Sequence, residues 1–340
     1  MAPILDFGVR FIILLQSLGS WLEAPMKLFS FLGTEDFFMV ALPIIYWCYD
    51  TTLGMQVGMI LMLSNSINGF LKVSFHGPRP YWISPLVKGL GSETSFGLPS
   101  NHAQSAAVLW GIVAAYLRKG WAWWGAGVLV FLISFSRLYL GVHFPHDVLV
   151  GLALGLLLLW LVVRFWKPAA EWVKTLSPGR RVWLAFLASL ALTILPLIPL
   201  VWLTSTGWQP PQEWAAYASQ ALSFQDVFTY SGTLFGLLGG LIWIHSLGGF
   251  QTKGSWSQLL LRFLVGVAGV LAIRYGLKAV FSDGETIVAY LFRYIRYTAI
   301  GFWVTGAAPW CFVRLKLARP LELVNITVSL RSDTGTPSDI

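Results

Sequence analysis

About nine stretches of this 340-residue chain stay apolar for roughly the length a helix needs to cross a bilayer, and that repetition leaves few folds open. Backbone polar groups in lipid must be satisfied within the chain, so serial apolar runs of this kind can only be helices or a closed barrel. The runs lie at approximately 35–50 (short), 53–75, 99–117, 121–142, 145–166, 182–204, 227–248, 259–281 and 286–313, too long for barrel strands. Charged residues make up 11% of the chain and hydrophobic ones 56%, whereas a soluble domain carries about 25% charged residues. The expected fold is an all-α polytopic membrane helix bundle of about nine spans, and the 18 Trp suit anchoring at its interfaces.

The segment from Val9 to Phe31 is interrupted by Gly19, Glu23, Pro25 and Lys27. It reads as an N-terminal amphipathic or interfacial helix within 1–32; an extra span and a signal peptide are the rivals, the latter lacking a small-residue cleavage site. The expected organisation continues with a core over 33–166, a cytoplasmic linker over 167–181 carrying a Ser-Pro-Gly turn, a four-span extension over 182–318 and a polar tail over 319–340. No internal repeat is evident. Cys48 and Cys311 sit in apolar surroundings and read as buried thiols.

The net charge of +8 is spread between apolar spans, so it reads as membrane topology and excludes a nucleic-acid partner. If 53–75 exits outward, Arg118, Lys119, Arg164, Lys167, Lys174, Arg180, Arg181, Lys253, Arg314, Lys316 and Arg319 all fall on the inner side. The loop 205–226 on the other side has no Lys or Arg. Positive charge kept outside against this bias calls for a reason, and binding an anion is one.

Three polar groups at the ends of apolar runs could supply that site: Lys72 with Arg79-Pro80, Pro99-Ser100-Asn101-His102, and Ser136-Arg137 with His143 and Asp147. Ionisable residues at membrane depth are costly and mark functional sites. Arg offers a planar fork of donors to phosphate oxygens and Lys a point charge. Ser100 is a natural N-cap, and the free N–H groups behind it would point at an anion. A neutral imidazole can attack as a nucleophile, and Asp147, four residues after His143, can take its other N–H and set the tautomer. Taken singly, these could be snorkelling cations, a capped helix and an interfacial histidine.

Together they resemble the signature of the type 2 phosphatidic acid phosphatase superfamily: Lys, six residues, Arg-Pro; Pro-Ser-x-His; Ser-Arg, five residues, His, three residues, Asp. Every specified position is present and in order. The resemblance implies His143 as nucleophile, Asp147 as its orienting partner and His102 as acid and base. It implies Lys72, Arg79, Ser100, Asn101 and Arg137 as holders of the phosphate, with no metal and no cofactor. Many family members have Gly where Asn101 stands. The sphingosine-1-phosphate phosphatase branch does not, and shares patterns like Glu35-Asp36-Phe37-Phe38, Leu42 to Trp47 and, loosely, Arg293 to Gly301.

The expected function is therefore an integral membrane phosphatase acting on a lipid phosphate monoester or diphosphate at the non-cytoplasmic face. Its membrane would be the plasma or inner membrane of a bacterium, or the endoplasmic reticulum of a eukaryote. The alternatives are a phosphotransferase or sugar-phosphate phosphatase of the same superfamily and, from another class, a non-catalytic lipid-binding or transport protein. His76 and His146 adjoin the motifs but match no signature position and read as shaping residues. Arg274, Lys278, Arg293 and Arg296 read as paired with Asp283 or Glu285, or as snorkelling.

Overall fold

The computed structural model describes residues 3–281 and 284–321, omitting the side chains of Glu35 and Asp36. Asp283 and most of the polar tail lie outside the described residues, among which every regular element is helical. In chain order these are α1 (Pro3–Gln16), α2 (Glu23–Phe31), α3 (Glu35–Ile44), α4 (Thr51–Phe75), α5 (Pro80–Ile83), α6 (Asn101–Leu117) and α7 (Gly120–Tyr139). There follow α8 (Pro145–Thr175), α9 (Pro178–Ser205), α10 (Ala215–Ala218), α11 (Gln225–Ser246), α12 (Trp256–Val280), α13 (Ile287–Phe302) and α14 (Ala308–Arg314).

Local signals account for many of the boundaries. Asp50 caps α4 by accepting from the Leu53 N–H at 2.7 Å, Ser177 starts α9 with Pro178 behind it, and Ser255 with Gln258 forms a capping box on α12. His76 closes α4 in the left-handed region at φ 35°, and Pro78 and Pro80 prevent the helix from resuming.

Among the described residues five helices are long and apolar enough to cross a membrane, or six if α1 and the segment after it count as one bent span, so the expected count of nine is not confirmed. The sequence segments do form helices, but several fail that test for visible reasons. The 25-residue α4 buries Ser64, Asn65, Ser66, Asn68 and Lys72, and α6 stops at 17 residues. Both are wrapped by other helices, so neither needs an apolar surface. The segments at 35–50 and 286–313 are each broken by a wide π-turn, at Ile45–Tyr49 and Trp303–Ala307. Such turns loosen the backbone ladder. Here the two face each other, Tyr46 Oη donating to the Thr305 carbonyl at 3.0 Å and Trp47 Nε1 to that of Val304 at 2.7 Å.

The structure adds detail to two further segments. The N-terminal segment is a helix pair bent by 90°, and α2 packs on α7 as part of the bundle. The stretch 167–181 is helical up to Thr175 and again from Pro178, leaving only Leu176 and Ser177 between helices. Cys48 and Cys311 are free and only half-buried.

α4 is the central helix, packed on α6, α9 and α11; α6 adds α7 and α8, and α11 adds α13. Close approach depends on glycine. A Cβ on Gly151 or Gly155 of α8 would strike the carbonyls of Ser100 and Gln104 on α6, and Gly232, Gly236 and Gly240 of α11 meet α13 and the turn after it in the same way. This spacing of small residues is the usual device where helices in lipid have only packing to hold them. Outward faces of α8 and α9 expose Leu156, Leu157, Trp160, Ile194, Ile198 and Trp202, as lipid contact requires.

Arg262, at 0% exposure, ties the end opposite the motifs. Its guanidinium donates to the carbonyls of Leu317, Trp47, Thr252 and Lys253, at 2.6 to 3.2 Å. Arg262→Met strands these acceptors, and we expect a loss of about 3 kcal/mol or more in stability, read as a lower unfolding midpoint in detergent. An unchanged midpoint would mean the carbonyls find other donors. Gly151→Val should cost about 1 to 3 kcal/mol by overpacking the α6–α8 contact, whereas the same change at Gly127, which faces open space, should leave the midpoint near wild type.

Candidate active site

The three motifs converge at one end of the bundle, where α4, α7 and α9 finish and α6, α8 and α11 begin. Backbone hydrogen bonds stitch them together. The Ser100 N–H donates to the Asp147 carbonyl at 3.0 Å, that of Gly97 to Gly77 at 2.9 Å, and that of Leu90 to Leu140 at 3.0 Å. The polar stripe of α4 completes the frame: Asn68 Nδ2 donates to Gln104 Oε1 at 2.8 Å, and Gln104 Nε2 to the Ser64 carbonyl and hydroxyl at 2.9 Å each.

At the centre is Arg79, at 0% exposure. Its Nε donates to the Ser95 carbonyl at 2.7 Å, Nη2 to Ser95 Oγ and the Phe96 carbonyl at 3.1 Å each, and Nη1 to the Val142 carbonyl at 2.8 Å. The remaining contact of Nη1 is His143 Nε2 at 3.2 Å. Arginine can only donate, so His143 Nε2 carries its lone pair on this side. The ring's proton then belongs on Nδ1, which donates to Asp147 Oδ2 at 3.3 Å. Asp147 Oδ2 is itself held by the Phe144 N–H at 2.9 Å, and its Oδ1 lies 3.3 Å from His146 Nε2. Burial first, then the cations Arg79, Lys72 and Arg137, hold His143 well below the usual histidine range, which keeps the imidazole neutral.

A cavity of about 780 Å³ opens beside these groups, and Lys72, Asn101, His102, Arg137 and His143 all line it. Arg79, Ser100 and Asp147 stand behind that wall. The five donors of Arg79 are all engaged, so its direct effect is on His143 and the backbone around it. Ser100 occupies the N-cap position of α6, yet its hydroxyl makes no cap bond. Three buried polar atoms of the motif residues have no hydrogen-bond partner: Ser100 Oγ, His102 Nε2 and Arg137 Nε. Buried orphans of this kind are rare and need an explanation, and here they cluster where the N-terminus of α6 presents its free N–H groups to an anion. Lys72 Nζ donates to the Phe96 carbonyl and retains two more donors. The Asn101 side chain accepts from Ser105 Oγ at 3.3 Å. The arrangement can hold a phosphoryl group between cations and aim one imidazole nitrogen at it.

Sequence reasoning missed several residues here. Glu93 pairs with Arg137 Nη2 and lies 3.6 Å from Arg79 Nη2. Burial would raise its pKa, but the two guanidiniums outweigh burial and hold the carboxyl below the usual range. The signal existed: Glu93 is the sole acidic residue between Lys72 and Asp147. Ser30, at the end of α2, takes the other Arg137 contact through Nη1, and nothing in the sequence linked it to the motifs. Of the two histidines that adjoin the motifs, His76 sits edge-on between Phe96 and Trp208 and His146 stacks on Phe144. Arg293 donates to Thr229 Oγ1 at 2.8 Å and Gln225 Oε1 at 2.6 Å, and Gln225 passes the network to Glu285.

Both halves of the chain are similar to known proteins. The PAP2 superfamily matches residues 53–171, and the transmembrane extension of PAP2 superfamily phosphatases matches 228–320. Phosphatidylglycerophosphatase B of Bacillus subtilis (strain 168) is 34% identical over 158 residues, covering 43% of this chain and 75% of that protein. The Dictyostelium discoideum protein named probable sphingosine-1-phosphate phosphatase is 32% identical over 166 residues, and the chain spans only 40% of its length. Glucose-6-phosphatase 3 of Bos taurus is 27% identical over 344 residues, 91% of this chain and 95% of that protein. With the motif residues gathered at one cavity among membrane-spanning helices, the chain belongs to the PAP2 superfamily of membrane phosphatases.

Proposed function

We propose that this protein hydrolyses a phosphate monoester through a phosphohistidine on His143, with a lipid phosphate as the leading substrate class. The observation that carries the reading is the hydrogen-bond direction around His143: an arginine donor on Nε2 and a carboxylate on Nδ1 fix a neutral ring at the cavity wall, whose Nε2 lone pair is free to attack once it leaves the Arg79 contact. In the first step Nε2 attacks phosphorus, the phosphorus–oxygen bond to the alcohol breaks, and His102 gives its proton to the departing oxygen. In the second, His102 takes a proton from water, the water oxygen attacks phosphorus, the phosphorus–nitrogen bond breaks and phosphate leaves. Lys72, Arg137 and the N–H groups at Asn101 and His102 would stabilise the charge on the phosphoryl oxygens, the main task of a protein in such chemistry. Ser100 and Arg79 would act from behind, Arg79 by orienting His143.

The lipid reading is supported by the Bacillus and Dictyostelium relatives, whose names specify lipid phosphates, and by the membrane-spanning helices around the site. A sugar-phosphate reading has its own support, since the match to glucose-6-phosphatase 3 runs through both halves of the chain. A site facing away from the cytoplasm is supported by Arg118, Lys119, Lys174, Arg180, Arg181 and Lys253, which lie at or beside the opposite helix ends. We read the core as 33–166 and 182–318 as an extension to it.

Purified protein should release phosphate from lipid monoesters in detergent, and His143→Ala should lower turnover by at least about 10³-fold; normal turnover by that variant would end the nucleophile assignment. His102→Ala should still form phosphoenzyme from p-nitrophenyl phosphate, whose leaving group needs no proton, while failing with alkyl esters. Equal losses on both would remove His102 from the acid role. Glu93→Gln takes away the anion that pairs Arg137 and approaches Arg79, so inhibition by inorganic phosphate should tighten about three- to tenfold. Weaker inhibition would mean that the carboxylate serves to hold the guanidiniums in place.

A further inference from the structure

The cavity has a second wall, which the three motifs do not supply. Pro196 and Leu200 of α9, and Ser223, Asp226, Val227 and Tyr230 in and just before α11, line it together with the cationic groups. These residues all come from the C-terminal half. Asp226 is the one acidic side chain on this wall, and it is exposed to the cavity. Among the described residues it has no hydrogen bond or ion-pair partner, although Arg293 and Lys72 act on it electrostatically. Arg293 is already committed to Thr229 and Gln225, and Ser223 donates to Glu285 at 3.1 Å.

A carboxylate lining a cavity suited to a phosphate dianion repels that dianion unless it meets something on the substrate. On the first turn of α11 it also complements the helix dipole, but that role needs only exposure to water and not a place on this wall. The alcohol half of a phosphate ester must point away from the line between His143 and phosphorus, because attack and departure are in line. Asp226 lines the same cavity into which that half must project. A carboxylate only accepts hydrogen bonds, so it selects for donors.

We propose that Asp226 is a specificity-determining residue that accepts a hydrogen bond from a hydroxyl or ammonium group on the alcohol half of the substrate. The preferred substrate is then the monoester of a polyhydroxy or amino alcohol, while diphosphates and phosphodiesters, which bring further negative charge to this wall, are turned away. This rests on the phosphate-monoester reading and narrows it. A hydroxylated or aminated lipid and a soluble sugar share the required chemistry.

The experiment measures kcat/KM on four substrates: a long-chain amino-alcohol phosphate, a plain alkyl phosphate of equal chain length, glucose 6-phosphate and ethyl phosphate. Wild-type protein should favour the donor-bearing member of at least one pair. Asp226→Asn, nearly isosteric, should lower that selectivity ratio about tenfold, the size expected for a hydrogen bond to a charged group, and Asp226→Glu should restore part of it. The pair that responds identifies a lipid or a soluble source. An unchanged ratio, or equal losses on both members with a lower unfolding midpoint, overturns the proposal and leaves Asp226 a helix-end charge. Turnover of p-nitrophenyl phosphate that survives in His143→Ala would instead overturn the underlying reaction, so the two failures are told apart.

Discussion

A buried guanidinium with all five donors engaged is the feature on which the rest of the site depends. Arg79 is out of contact with water, and an uncompensated charge there would cost several kcal/mol. The structure compensates it with carbonyls from two separate loops, at Ser95 and Phe96 and at Val142, and with His143. Those loops cannot move apart without stranding the charge. The same contact forces the tautomer of His143, so one interaction both holds the loops and orients the imidazole.

Membrane burial explains why so much polarity is tolerated around it. Asn68, Gln104 and Ser64 form a closed hydrogen-bonded chain between α4 and α6, each group satisfied as a dry interior demands. α8 presses on α6 through Gly151 and Gly155, bringing the Asp147 carbonyl to the Ser100 N–H. The motif groups left without partners, Ser100 Oγ, His102 Nε2 and Arg137 Nε, gather at the site. Unspent hydrogen-bonding capacity next to a cavity is what a site needs if its ligand brings the complementary atoms.

The two halves of the chain contribute differently. The core carries the cations and histidines, and the C-terminal helices complete the cavity and brace its rim. Trp208 and Trp214, from the segment between α9 and α11, pack with Trp82, and Phe96 joins them within one aromatic cluster. Phe96 is also the residue whose carbonyl receives Lys72 and Arg79. The extension thus reaches the motif loops by packing as well as by lining the cavity.

Much of this protein was readable from residues in order. Apolar runs marked the helices because lipid penalises exposed polarity, and the motif spacing identified the superfamily because its three groups must meet at one phosphate. Capping residues such as Asp50 and Ser255 placed helix starts through purely local bonds. Other features needed distant contacts. Glu93, in a loop, and Ser30, at the end of α2, meet Arg137 from 44 and 107 residues away, and the saturation of Arg79 depends on where two loops cross. The expected nine spans are not confirmed, five or six helices among the described residues being long and apolar enough, because hydropathy counts residues without asking what surrounds them, and α4 and α6 are surrounded by protein. Identity and spacing are local properties of a chain, whereas which acceptor a donor finds is decided only when the helices pack.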